Sequence, residues 1–140
     1  MAQLLGKLEK VDIRKIWEHE ALSFTPWLAM PENLSQLGEA LGIEFDEDNI
    51  QKEVGVGDFS ADILTSDLSG RKVVTENQLE KTDHDHLGKC ITYAAGVGVE
   101  IIIWIARNVR DEHKQAVEYL NQNSSDELNI FLVQLEAYKI

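Results

Sequence analysis

The stretch GDFSADILTSDLSGRKVVTENQ, residues 57–78, holds the pattern on which the fold turns. Phe59, Ala61 and Ile63 alternate with Ser60, Asp62 and Leu64, the period-two pattern of a strand spanning residues 59–65. SDLSGRK then has the composition of a turn. Val73 and Val74 restart an apolar run that passes directly into Glu76, Asn77 and Gln78. Two strands about a short turn form a hairpin. Pairing outward from a turn centred near Leu68 to Gly70 sets Asp62 opposite a residue between Thr75 and Asn77. Directly opposed, Asp62 and Glu76 would have Cβ atoms about 5 Å apart. Glu76 and Gln78 are two residues apart and share a face. Asp62, Glu76 and Gln78 therefore converge on one face of a central hairpin.

Two carboxylates this close repel, and burying them is costly. A hard divalent cation such as Mg²⁺ resolves the conflict, because it takes oxygen ligands and needs only one or two protein carboxylates. Such an ion polarises a phosphodiester and activates water. The competing reading puts both acids on an exposed, solvated sheet face, and spacing alone leaves the two readings open.

Outward from the hairpin the pattern stays mixed. KLEKVDI reads as a short strand. SFTPWLAMPENLSQLGEALG reads as helical, with Thr25 as N-cap before Pro26, a restart at Pro31, and a stop at Gly42. A strand is expected at Ile43 to Phe45, extending through Ile50 to Val54. DHLGKCITYAAGVG predicts a helix burying Leu87, Ile91 and Ala94. VEIIIWIA is a continuously apolar strand of the kind buried on both faces. RDEHKQAVEYLNQN predicts a helix with Ala116, Val117 and Leu120 inward. LNIFLVQLEAYKI closes as one strand. Trp17, Trp27 and Trp104 are assigned to the core. The whole is an α/β fold with a central mixed β-sheet flanked by helices, and residues 1–140 form a single domain.

The formal net charge is −12, with 25 Asp and Glu against 13 Lys and Arg. That balance argues against gripping nucleic acid by general electrostatics, but leaves room for a metal-dependent enzyme acting on it. One cysteine, Cys90, excludes an internal disulfide and suits a reducing compartment. No signal peptide is evident at the start, and the apolar run Ile101 to Ala106 is too short to cross a bilayer. A cytoplasmic location without membrane contact is the expectation.

The pair of motifs GDFSAD and VVTENQ resembles the catalytic core of the PD-(D/E)xK nuclease superfamily, in which an Asp ends one strand and a Glu-x-Lys lies on the next. Asp62 matches the Asp, Glu76 the Glu, and Gln78 stands where lysine is usual. Across residues 11–140, through FTPWL, ENQLEKTDHDHLG, TYAAG and IWIARNVRDEH, the chain is similar to the N-terminal domain of DUF4268-type bacterial proteins, which are nuclease-like. The resemblance implies a restriction-endonuclease-like core and a metal-dependent endonuclease acting on nucleic acid, DNA before RNA. The alternative is a catalytically inactive nuclease-fold module for nucleic-acid or protein interaction.

The same resemblance implies site roles. Asp62, Glu76 and the backbone carbonyl of Asn77 would ligate Mg²⁺ or Mn²⁺. Gln78 would orient water or touch the scissile phosphate. An acid from the first helix would complete the site: Glu32 first, then Glu39, then Glu20. Lys89 and Tyr93, spaced i, i+4 on the next helix, resemble a RecB-like Gln-x-x-x-Tyr motif, and Lys89 would supply the charge a missing lysine does not. Lys81, His84, His86 and Tyr93 are the candidate substrate contacts. Asp83, His84, Asp85 and His86 could instead form a Zn²⁺ cluster. Capping of the next helix by Thr82 or Asp83, with substrate contact, is the reading adopted. No partner is evident for His19 or His113. A homodimer, and recognition by a further C-terminal domain or a partner, are expected by family analogy.

Overall fold

The computed structural model describes residues 6–140. The elements run β1 (Glu9–Val11), α1 (Ile13–Ile16), a π-helical turn (Glu20–Phe24), α2 (Thr25–Leu28), α3 (Pro31–Leu41), β2 (Gln51–Val56), β3 (Phe59–Ser66) and β4 (Lys72–Lys81). Then follow α4 (His84–Val97), β5 (Ile101–Asn108), α5 (Asp111–Asn123), β6 (Asn129–Gln134) and β7 (Ala137–Lys139). Strands β2 to β6 form one mixed sheet in chain order. β2, β3 and β4 are antiparallel, whereas β4, β5 and β6 are parallel. β1 pairs with β7 in a separate two-stranded ribbon.

Burial explains the three layers. The run Ile101 to Ala106 is buried throughout, as a central strand covered on both faces must be. Ile101, Ile103 and Ile105 join Phe24, Leu28 and Leu34 from the N-terminal helices. Ile102 and Trp104 join Cys90, Tyr93 and Val117 from α4 and α5. Both crossover helices thus cover one face, as two successive parallel connections of the same hand require.

Five expectations change or extend. α4 buries Cys90 and Tyr93, with Leu87 and Ala94 partly covered, while Ile91 is exposed. In α5 the expected Ala116, Val117 and Leu120 do turn inward, and His113, a turn earlier, joins them. The C-terminal run divides: the Leu135 N–H bonds the Ala106 carbonyl, and the chain then leaves the sheet for β1. Ile43 to Phe45 contributes only an isolated bridge, Phe45 to Asp67. Trp104 is fully buried, but Trp27 is 38% exposed and stacks on Phe24 at the edge of the N-terminal layer.

α3 begins with Pro31 in its first turn and ends at Gly42, in the left-handed conformation at φ 74°. Gly38 permits the return of the chain: a Cβ there would lie 2.3 Å from the Ile43 carbonyl oxygen. No described helix is long and apolar enough to cross a membrane.

Candidate active site

The β3–β4 ladder runs from Ser66 opposite Lys72 to Ile63 opposite Thr75 and stops. One step further sets Asp62 opposite Glu76, the pairing the hairpin pattern predicted. β3 then continues alongside β2 alone. The edge of β4 that β3 leaves is satisfied by side chains. The Asn77 N–H donates to Asp62 Oδ2 at 2.7 Å, and the Leu79 N–H donates to Glu20 Oε1 at 2.7 Å. A strand residue's N–H and C=O project to the same edge, so the Asn77 carbonyl lies on this side too.

The electrostatics of the pair follow from burial. Glu76 is 4% exposed, and its Oε2 has no hydrogen-bond partner. Burial, then the Asp62 charge, pushes its carboxyl far above the usual range, against the opposing pull of Lys89. Burial also raises Asp62. The Asn77 N–H and His86 pull it back, while Glu53 and Glu20 push it further up. Glu53 faces Asp62 from β2, at a point where the ladder skips a pair and Glu53 takes φ 51°. A strained non-glycine residue beside a cluster of charge is a common mark of a functional region. The donors here are two carboxylates and a main-chain carbonyl. Among the described residues, no group of three or more His, Cys, Asp or Glu side chains is placed to hold a metal ion.

The other predicted residues divide. Gln78, 1% exposed, is committed to structure. Its Nε2 donates to the Lys81 carbonyl at 2.7 Å and to Asp83 Oδ2 at 2.9 Å, and its Oε1 accepts from the Trp104 indole at 3.1 Å. Both N–H groups are occupied, so the expected contact with water or phosphate gives way to a clamp on the start of α4. Asp83 caps that helix by accepting the His86 N–H, the capping role the sequence reading gave to Thr82 or Asp83. His86 also bonds Asp83 through Nδ1, and its charge acts on Asp62. Lys89 pairs with Asp85 at 3.4 Å and acts on Glu76. Lys81 is exposed beyond an irregularity in β4. Tyr93 is 1% exposed, so it is a core residue rather than a surface contact; burial, then the charges of Glu76 and Asp62, raises its phenol to about 12.

Glu32 and Glu39 are exposed on α3, and neither is among the charges acting on the carboxylate pair. Glu20, the third-ranked candidate, is. It is delivered by the π-helical turn, in which the Ser23 and Phe24 N–H groups share the His19 carbonyl. Such turns have no apolar periodicity to read in sequence, and they recur at functional sites. Beside Glu20 lies an open groove of about 460 Å³, lined in part by Arg14, His19, Glu80 and His86. Arg14 bonds Glu80 at 3.0 Å and lies 3.6 Å from Glu20.

This sheet has counterparts among solved structures. The chain is similar to a repair endonuclease from Pyrococcus abyssi, with a TM-score of 0.57 and 18% identity, over 76% of this chain and 46% of that one. A chain of an EndoMS–dsDNA2 complex matches with a TM-score of 0.49 and 16% identity, over 76% of this chain and 45% of that one. The chain thus spans less than half the length of either. At these identities the likeness to the first is one of fold. No family model matches, nor does any curated protein, so the DUF4268-type likeness stays a resemblance of motifs.

Proposed function

We propose that the chain is a metal-dependent endonuclease-like domain that hydrolyses phosphodiester bonds of nucleic acid, DNA before RNA. Glu76 carries this reading: a buried carboxylate with an unpartnered oxygen, opposite Asp62 at the point where two strands part. A residue so placed is poorly suited to stability alone, since an ionised buried acid needs a partner. Asp62, Glu76 and the Asn77 carbonyl make an all-oxygen donor set, which suits Mg²⁺ or Mn²⁺. When bound, such an ion supplies Lewis acidity and a more acidic water. The chain's own residues do the rest. Asp62 and Glu20 hold the edge of β4 open by taking its N–H groups. Lys89 brings positive charge to Glu76, and His86 brings it to Asp62 when protonated. A repair-endonuclease fold supports the class of chemistry.

One observation favours the second reading, an inactive nuclease-fold module: the Gln78 side chain is fully engaged where the superfamily places a free lysine. Incubation with supercoiled plasmid and single-stranded DNA in Mg²⁺ or Mn²⁺ separates the two. Cleavage should fall at least about 100-fold in Asp62→Asn and Glu76→Gln, the scale of losing one electrostatic stabiliser, with circular dichroism unchanged. Cleavage that persists in both variants would sink the assignment. A wild-type chain that neither cleaves nor binds Mn²⁺ by calorimetry would favour the module.

A further inference from the structure

His113 carries no sequence signal beyond its place on α5, yet it is 3% exposed and bonded at both ring nitrogens. Its Nε2 lies 2.9 Å from Nδ1 of His84, the first residue of α4, and its Nδ1 lies 2.8 Å from Thr82 Oγ1. Thr82 Oγ1 also accepts the Arg110 N–H, and the Arg110 Nε donates to the Thr82 carbonyl. The rings of His84 and His113 meet edge-on, 4.9 Å apart at 79°, and Trp104 covers His113 at 5.6 Å. One network therefore ties the end of β4, the first turn of α4 and the first turn of α5. The first turn of α4 leads to His86 and Lys89, the two cations acting on Asp62 and Glu76.

Proton bookkeeping gives this network a property that a plain packing contact lacks. A ring-to-ring bond needs a hydrogen on one nitrogen and a lone pair on the other. Two neutral histidines meet that need. With one added proton the bond survives: the charge sits on His84 with its Nδ1–H donating, or on His113 with the Thr82 hydroxyl turned to accept. With two, N–H faces N–H at 2.9 Å and the bond is lost. We propose that His113 and His84 are positioning residues for the site: their neutral pair latches the start of α4 to the end of β4, and acid releases the latch. The groups facing His113 are His84 and Asp83 at the start of α4, and Arg110 and Glu112 on its own helix. Burial, followed by the positive charges of His84 and Arg110, holds its imidazole below the ordinary range, which favours the latched state near neutrality.

The latch rests on the geometry, and only its effect on catalysis rests on the nuclease reading. The test has two arms in wild type, His113→Gln and His84→Gln, since glutamine donates and accepts without titrating in this range. In the first arm, amide hydrogen exchange is followed from His86 to Cys90, corrected for intrinsic pH dependence, without metal. Protection in the wild type should fall roughly five-fold between pH 7.5 and 4.5, the scale of one lost hydrogen bond, and stay flat in both variants. Equal protection at both pH values, or the same fall in the variants, overturns the latch. His84 is exposed, so its variant keeps this arm decisive if His113→Gln fails to fold. In the second arm, Mn²⁺-dependent plasmid cleavage should lose activity in acid more steeply in wild type than in His113→Gln, by the same factor. The carboxylates titrate in all three proteins and cancel from the comparison. Identical acid limbs overturn the coupling to the site. Absence of cleavage in every protein refutes the nuclease reading while the exchange arm still decides the latch.

Discussion

Glu76 is the residue where stability and chemistry pull hardest against each other. Its buried carboxyl faces Asp62 and keeps an unpartnered oxygen. Replacing it by glutamine removes the charge and keeps the shape. Metal-free Glu76→Gln should therefore be more stable than wild type at pH 8, by about 1–3 kcal/mol on the scale of relieving a poorly satisfied buried polar group, while cleavage is lost; urea unfolding reads the first and plasmid nicking the second. Gln78 makes the opposite case. Introducing a lysine by Gln78→Lys leaves the Trp104 indole N–H without an acceptor. The expected outcome is a loss of about 1–3 kcal/mol, the penalty of an orphaned buried donor, with no gain in cleavage. A faster enzyme after Gln78→Lys would show that the amide is not a clamp. The identities at 62, 76 and 78 were legible from strand alternation, since period-two patterning sets register and face together. The orphaned oxygen and the engaged amide were not, because hydrogen-bond partners come from residues far along the chain.

At the scale of elements, the parting of β3 from β4 makes the site, and the π-helical turn keeps it open. Glu20 from that turn supplies the acceptor that β3 no longer offers to the Leu79 N–H. Glu20→Gln keeps an acceptor there and should fold with near wild-type stability. Glu20→Ala orphans the N–H and should lose about 1–3 kcal/mol in urea unfolding. Equal stability of the two variants would show that water replaces the carboxylate. α3 has a tighter constraint. Gly38→Ala drives a methyl to 2.3 Å from the Ile43 carbonyl oxygen and toward the Phe45 ring. An overpacking cost of about 1–3 kcal/mol is expected, read as a lower Tm. Helices α4 and α5 were legible in place and length. The expected stripe of α5 is the inward one, extended a turn by His113, whereas Ile91 lies outward in α4, because Cys90, Tyr93 and His113 take inward positions that apolar spacing alone does not assign.

Across the whole molecule, the carboxylate pair links stability to pH and, on the proposed reading, to metal. Asp62 and Glu76 hold protons more tightly folded than unfolded. Fewer protons are then bound in the unfolded state, so their contribution to stability declines as pH rises above the ordinary carboxylate range, about 4. The lowered imidazole of His113 acts in the opposite direction through the histidine range. The pair's share is therefore isolated by difference: the Tm advantage of Glu76→Gln over wild type should widen steadily from pH 5 to pH 8. A constant difference would mean that Glu76 does not titrate with folding. Mn²⁺ at about 100 times its Kd should add about 2.7 kcal/mol to the wild type, with protons released on binding, and nothing to Asp62→Asn/Glu76→Gln.

The division between what local sequence carries and what the fold adds is physical. Alternation along residues 59–78 encodes the hairpin, its register and the meeting of Asp62 with Glu76. The unbroken run Ile101 to Ala106 encodes a strand covered on both faces. Both are short-range signals, set by side-chain period and apolar content. The third acid, the fate of Gln78 and the pairing of His84 with His113 depend on contacts 59, 26 and 29 residues apart in the chain. Such contacts leave no local periodicity. They exist only once β3 parts from β4, the N-terminal layer closes on one face, and α4 and α5 close on the other.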